Sequence, residues 1–547
     1  MKLVSFIASE YPHAWKRVLV LVVVAGLCDS ALLALINFST SLDPHSADHA
    51  RYMGFYALCL VLFILSKRRS LMASIDMSEQ VIHRIRLRVV DKIRQSELPF
   101  IETLSQGQIH TKVSQDFNLI SQASYMMLNA VQGVVMMVFA LLYLAWLSPA
   151  TFLVTLVFVV AGAIFYVWHR MALWQEFEVI MAKETELFDA FNHMLDGFKE
   201  IRINRAKSDA VFGAFSVLSN FLEALKIKVA TQYVSHFMFY QVFFDCLVGL
   251  VVFVLPQFIP TYGEIVMKCT VALLYIIGPL QMIGNASSFF ARANMALTAI
   301  YGLEAKLDQA VREAPAAVAI KPGAPALSFG NFKALALHDL SFCYYDSENR
   351  QPTFSVGPLS LTVRRGETIF FVGGNGSGKS TAIKLLTGLY PPLTGSITVD
   401  DVPVAADTIH AYRHLFTAVF SDFHLFDRLY GLEQVDEAQV NAWIDRMELG
   451  DKTRYEQGRF TQMNLSSGQR KRLALIVTLL EDKEIFVFDE WAADQDAHFR
   501  QRFYHEILKQ LRDRGKTVLA VTHDERFWSV ADRVIRMEDG RFQAPAA

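Results

Sequence analysis

TIFFVGGNGSGKSTAIKLLTGL, residues 368–389, is the stretch that decides how this chain is read. Its first five residues are β-branched or aromatic, the pattern of a short buried strand. Then comes Gly373-Gly374-Asn375-Gly376-Ser377-Gly378-Lys379-Ser380-Thr381, followed by an apolar helical pattern that runs to Leu389. Strand, glycine-rich loop and helix in this order satisfy the GxxxxGK[ST] spacing. Glycines let backbone N–H groups wrap around phosphate oxygens, and the helix N-terminus adds a favourable dipole. Lys379 is then placed to reach β- and γ-phosphates, and the Ser380 hydroxyl to bind Mg2+. A glycine-rich turn with nothing to hold has no need of the Lys379–Ser380 pair.

Working downstream, residues 485–488 form a second buried-strand pattern that ends in Asp489-Glu490. Asp489 is predicted to hold Mg2+, partly through water, and Glu490 to polarise the attacking water. Phosphoryl transfer is mostly positioning and charge stabilisation, so a carboxylate beside the γ-phosphate is what the chemistry requires. A third strand pattern, 517–522, is followed by His523, which is placed to contact the γ-phosphate. A histidine after a strand is usually structural; its neighbours promote this one. Between these elements lies Leu465-Ser466-Ser467-Gly468-Gln469, opening a basic and apolar helix over 470–480. Ser466 with the amides of that helix start makes a second phosphate-binding element. Taken alone it would be only a helix cap. The order of the four motifs is what separates them from the bland alternatives.

Working upstream, the composition changes character. Of 547 residues, 53% are apolar and 19% charged, which implies a membrane portion. A net charge of −2 gives no electrostatic pull toward nucleic acid. The five cysteines are scattered with no CxxC pair, against a metal or redox role. Apolar runs predict six spans at about 18–36, 50–69, 126–146, 150–167, 234–255 and 265–283. The second is the shortest, and loop charge supports it. Connectors 37–50, 147–149 and 256–264 contain no Lys or Arg, whereas the opposite side begins Lys67-Arg68-Arg69. That asymmetry places both termini in the cytoplasm. An even number of crossings also suits a C-terminal domain that uses cytosolic ATP.

The predicted fold is therefore an all-α six-helix membrane bundle, 1–313, fused to an α/β P-loop nucleotide-binding domain, 328–547. A Pro- and Ala-rich linker, 314–327, joins them. Long helical loops at 67–125 and 168–233 present their tips, 98–108 and 196–205, as contacts for the C-terminal domain. Asp29 and Asp245 fall near the middles of the first and fifth spans. A mid-membrane carboxylate costs about 3 kcal/mol and faces a cavity or a partner. Both are candidates to line a substrate cavity that favours a polar or cationic cargo; the plainer reading is a hydrogen bond to a neighbouring helix.

The C-terminal domain resembles an ABC nucleotide-binding domain, with Walker A, an LSGGQ-type signature, Walker B and an H-loop in order. The resemblance implies that Tyr344 stacks on adenine and that Asp496 is the D-loop aspartate. It also implies that Ser466, Ser467, Gly468 and Gln469 of one copy complete the ATP site of a second copy. A homodimer with two equivalent sites for ATP and Mg2+ follows. Ser421 stands where such domains carry the Q-loop glutamine, leaving Ser421 as a substitute Mg2+ contact, or Asp422 beside it. The run Asp489-Glu490-Trp491-Ala492-Ala493-Asp494-Gln495-Asp496 resembles bacterial exporters of cyclic or modified peptides: pyoverdine-type siderophore precursors, syringomycin-type lipopeptides and lasso peptides. That implies ATP-driven export of a peptide-like substrate across the bacterial inner membrane. A lipid flippase, a siderophore importer of exporter architecture, and a regulatory factor that moves no cargo remain open.

Overall fold

The computed structural model describes residues 12–39, 45, 47–103, 117–259, 265–313, 329–346 and 351–543. The predicted linker, 314–327, lies outside them. By packing, the chain divides into two units: Met1–Arg88 with Gly107–Gly302, and Val89–Gln106 with Leu303–Ala547. The packing boundary thus differs from the compositional one, because Val89–Gln106 packs with the C-terminal unit.

Among the described residues the first unit contains the long helices α1 (Pro12–Ser39), α2 (Ala47–Gln95), α3 (Phe117–Leu147), α4 (Pro149–Asp196), α5 (Arg205–Gly249) and α6 (Val266–Glu313). The ends of α2 and α6 belong to the other unit. Among the described residues, five stretches have the length and apolarity to cross a bilayer: Trp15–Ser39, Asp48–Gln95, Phe117–Leu147, Arg205–Phe258 and Val266–Ala286. The fourth predicted span falls in α4, whose described apolar part, Pro149–Phe165, is shorter. Ser148 starts that helix by accepting from the Thr151 amide at 3.3 Å, with Pro149 in the first turn. Helices α1 and α3 pack together, as do α4 and α5. Ala140 and Leu144 of α3 meet Phe244 and Leu247 of α5 and Ala272, Leu273 and Ile276 of α6 in one buried cluster. Two polar side chains among these helices turn to main-chain carbonyls, as an apolar surround favours. Ser30 Oγ donates to the Gly26 carbonyl at 2.8 Å, and Asn37 Nδ2 to that of Lys268 at 2.9 Å.

The second unit carries the predicted α/β domain. Its strands are β1 (Ala334–Tyr345), β2 (Pro352–Arg364), β3 (Thr368–Val372), β4 (Thr394–Val399), β5 (Val402–Pro403), β6 (Phe416–Val419), β7 (Tyr455–Glu456), β8 (Arg459–Phe460), β9 (Ile485–Asp489), β10 (Thr517–Val521), β11 (Arg533–Glu538) and β12 (Arg541–Phe542). One sheet runs β12-β11-β3-β10-β9-β6 and another β2-β1-β4-β5. Strands β3, β9 and β10 are buried at every position, as parallel strands covered on both faces must be. Register pairs Val521 with Phe371 on one side and Asp489 on the other, and Val419 with Phe488. The C-terminal ends of four neighbouring parallel strands therefore open on one edge, the place where such sheets bind ligands.

Two helices matter for that edge: α7 (Lys379–Leu386) and α8 (Ser467–Glu481). Helix α7 ends at Leu386 rather than Leu389, because the Leu389 and Tyr390 amides turn back onto the Lys384 carbonyl at 2.9 and 3.1 Å. The short helix Leu98–Glu102 also belongs here. Leu98 packs against the apolar cluster around β1–β3, while Glu97 pairs with Arg413 at 2.6 Å and Glu102 with Lys384 at 2.8 Å. At the other predicted tip, Phe198 and Ile203 are exposed, Ile203 by 89%.

Candidate functional site

The glycine-rich loop connects β3 to α7. Gly378 is the residue before the helix and has φ +96°, a left-handed conformation that a side chain would strain; a Cβ there would also stand 3.0 Å from Met537 and Val356 side-chain carbons. At Gly374 and Gly376 the Cβ direction is open space, which leaves the backbone free to be approached. Ser377 Oγ is buried without a partner. Lys379 is itself buried and bends back to donate to the Gly373 and Gly374 carbonyls at 3.2 and 2.8 Å. Burial lowers its pKa, against the pull of Glu490 and Asp489. An open backbone cradle, an unspent hydroxyl and an ammonium folded onto the loop fit a polyphosphate.

Asp489 ends β9 and is 1% exposed. Ser380 Oγ donates to its Oδ1 at 3.2 Å, and Ser421 Oγ to its Oδ2 at 3.4 Å. Burial raises the Asp489 pKa, Glu490 adds to the rise, and the two hydroxyls oppose it. All three residues singled out as Mg2+ contacts thus meet on one carboxylate. Their hard oxygen donors fit that ion. Ser421 arrives there because it follows β6, the neighbour of β9.

Glu490 and His523 are also brought together: His523 Nε2 is 3.0 Å from Glu490 Oε1. Glu490 has φ +51°, a conformation that costs a non-glycine residue about 1–3 kcal/mol and persists where neighbours hold it. Here its amide donates to the Val521 carbonyl at 3.2 Å, and Lys471 Nζ donates to its carbonyl at 2.9 Å. Tyr344 on β1 lies beside the loop, its hydroxyl 3.1 Å from Thr381 Oγ1.

The signature residues make their own set of contacts. Ser466 caps α8 in a reciprocal box: its Oγ accepts from the Gln469 amide at 3.4 Å, and Gln469 Oε1 from its own amide at 3.0 Å. Ser467 begins the helix. Gly468 is dictated by close approach, since a Cβ would stand 2.9 Å from the Asp494 carbonyl. Among the described residues, no hydrogen bond joins Ser466–Gln469 to Lys379, Ser380 or Asp489. Asp496 caps the helix Ala497–Arg502 through the Phe499 amide at 2.8 Å and pairs with Arg472 at 2.6 Å. That amide, then Arg472, hold its carboxyl below the usual range. In the membrane unit, Asp29 accepts from the Tyr275 hydroxyl at 3.3 Å, whereas Asp245 is exposed on α5.

Sequence reasoning passed over Lys471 and Gln495. Lys471 ties α8 to Glu490 and to Asp494, the latter at 2.9 Å. Gln495 Nε2 donates to the Gly468 carbonyl at 3.0 Å, and its Oε1 accepts from Arg472 at 2.9 Å. A mark for Gln495 is its neutral amide side chain, set between the carboxylates of Asp494 and Asp496.

Comparison with known proteins agrees with this geometry. Residues 356–493 match the family model "ABC transporter" and residues 18–280 the model "ABC transporter transmembrane region". The chain is 30% identical over 544 residues to "ATP-binding protein SyrD" of Pseudomonas syringae pv. syringae, covering 96% of this chain and 94% of that protein. It is 24% identical to "ATP-dependent lipid A-core flippase 2" of Colwellia psychrerythraea, over 97% of this chain and 92% of that one. The solved "Structure of a bacterial Atm1-family ABC exporter with ATP bound" superposes with a TM-score of 0.74 at 18% identity, over 97% and 94% of the two chains, and so shares the fold. The chain belongs to the ABC transporters as a half-molecule, a multi-pass membrane region and an ATP-hydrolysing cassette on one polypeptide.

Proposed function

We propose that this half-transporter exports a peptide-like molecule — a cyclic peptide, lipopeptide or siderophore precursor — across the bacterial inner membrane. The observation that carries the catalytic part is the meeting of Ser380, Ser421 and Asp489, with Glu490 and His523 beside them on one sheet edge. The peptide-like cargo rests on the Glu490–Asp496 run. The 24% identical flippase supports a second reading, an amphiphilic lipid as cargo.

In the proposed reaction the loop amides of 373–378 and Lys379 would hold the phosphates, and Tyr344 would contact adenine. Ser380, Asp489 and Ser421 would hold Mg2+, which when bound would supply positive charge to the transferring phosphate. Glu490 takes a proton from the attacking water as the γ-phosphate leaves ADP, and His523 steadies the carboxylate. Six spans, cytoplasmic termini and a homodimer complete the reading. Within that dimer Ser466 and Gly468 of the partner subunit would close each site; among the described residues of one chain no hydrogen bond joins them to Lys379.

Uptake of cyclic peptides, siderophores and lipids into inside-out vesicles holding the purified protein tests the cargo. ATP-dependent accumulation of a peptide is expected; lipid movement alone would favour the second reading. In the same vesicles, Asp29→Asn with Asp245→Asn is expected to weaken half-maximal substrate stimulation of the ATPase about tenfold, the worth of a charged hydrogen bond, with basal turnover kept. Unchanged stimulation removes both from the substrate path. Ser421→Ala is expected to raise the Mg2+ concentration for half-maximal ATPase about two- to tenfold, because one hydroxyl partner of Asp489 is lost. An unchanged Mg2+ curve would make Ser421 a bystander.

A further inference from the structure

Glu102 lies 282 residues from Lys384 and 288 from Tyr390 in sequence, yet both bind its carboxylate. Lys384 Nζ donates to Oε1 at 2.8 Å, and the Tyr390 hydroxyl donates to Oε2. That hydroxyl in turn accepts from the Tyr344 hydroxyl at 3.2 Å, and Tyr344 also meets Thr381. The rings are fixed by packing as well. Phe342 lies edge-on to Tyr344 with centroids 5.1 Å apart and against Tyr390 at 4.6 Å, while the Lys384 ammonium sits 5.1 Å above the Tyr390 ring. Tyr390 is 1% exposed, and burial together with the Glu102 carboxylate pushes its pKa far up, so it stays a donor. Burial opposes the charge on Lys384, but the same carboxylate outweighs it and keeps the ammonium charged. At the other end of the short helix, Arg413 Nη2 reaches both Glu97 and the Gly388 carbonyl at 2.6 Å. Two carboxylates therefore clamp the helix Leu98–Glu102 onto the turn that carries Tyr390.

We infer that Glu102 and Tyr390 are positioning residues for Tyr344, setting the ring that meets adenine from a segment continuous in sequence with membrane helix α2. This rests on the proposed adenine contact of Tyr344. Hydrogen bonds run unbroken from Glu102 through Tyr390 to Tyr344, so an orientation imposed at either end is felt at the other. By reciprocity, base binding and the seating of this segment favour each other.

Displacement of a fluorescent ATP analogue from the full-length protein in nanodiscs tests it, with ATP and base-free tripolyphosphate as the two competitors. Tyr390→Phe and Glu102→Ala are each expected to weaken ATP about three- to tenfold, the size of one lost hydrogen bond, and to leave tripolyphosphate within about twofold. The double variant is expected to be no weaker than the worse single one, because the two act in series. Equal weakening of both competitors would overturn the inference, as general damage to the cassette. Multiplying effects in the double variant would overturn it too. Tyr344→Ala separates the layers. If it weakens ATP alone while Tyr390→Phe and Glu102→Ala change nothing, the adenine contact stands and the positioning role falls. If Tyr344→Ala leaves ATP unchanged, the adenine reading itself falls.

Discussion

Glu490→Gln is expected to cut ATP turnover by roughly 10²–10⁴-fold, the usual contribution of a positioned general base, while leaving ATP bound. Glutamine has the shape of glutamate and no basic oxygen. It keeps a side-chain partner for His523, 3.0 Å away in the parent. The backbone at this position, φ +51°, suits glutamine no worse than glutamate. Its amide and carbonyl are held by Val521 and Lys471, neither of which touches the carboxylate. Folding should therefore be nearly untouched, and the loss should fall on kcat rather than on ATP affinity. Phosphate release by the reconstituted protein gives kcat, and retention of labelled ATP on gel filtration gives binding. Since a cassette that binds but does not hydrolyse stays in its nucleotide-bound form, the variant should also elute as a stable dimer with ATP and Mg2+. Turnover within about threefold of the parent would mean that the water is activated elsewhere.

The meeting of the candidate site residues was legible in sequence where each part leaves a local mark. Strands β3, β9 and β10 are continuous apolar runs, as fully buried parallel strands must be, and each ends directly at a functional residue. The sheet then aligns β6, β9, β10 and β3 side by side, in an order different from that along the chain, and so brings their ends together. Membrane helices announce themselves by length and apolarity, and among the described residues five do so fully. The fourth predicted span falls in α4, which runs on without a break to Asp196 and whose described apolar part is Pro149–Phe165.

What escaped reading is long-range and polar. No periodicity links Glu102 to a tyrosine 288 residues away, and a charged residue at a loop tip looks like any solvated surface group. Gln495 and Lys471 reach main-chain carbonyls, and a carbonyl acceptor carries no sequence signature at all. The resemblance implies that Asp496 is the D-loop aspartate, and within its own chain it caps a helix and pairs with Arg472. Those contacts give the aspartate a local job independent of ATP.

Trp491→Ala is expected to destabilise the cassette by about 3–5 kcal/mol, the cost of emptying a large aromatic site in a packed core. Trp491 is 1% exposed and stacks on Phe503 with centroids 4.3 Å apart. Its Nε1 donates to the Lys471 carbonyl at 2.8 Å, tying α8 to the end of β9. Domains of this kind hold only about 5–15 kcal/mol in total, so the change removes a large share. For a domain of this size each kcal/mol is worth about 2–4 °C, which puts the fall in Tm at roughly 6–20 °C. Trp491→Phe divides the effect: it keeps a ring against Phe503 and forfeits the indole N–H, for a loss of about 1–2 kcal/mol. Calorimetry of the purified protein without nucleotide reads both, with the cassette transition followed separately from that of the membrane unit. If Trp491→Ala melts within about 2 °C of the parent, the surrounding cluster closes over the gap and Trp491 is not what joins the signature helix to the catalytic strand. If it melts far lower yet ATP turnover at low temperature is preserved, the tie is one of stability alone. Because Lys471 also holds the strained Glu490 peptide, the expected result is loss of both: a lower Tm, and reduced turnover below it.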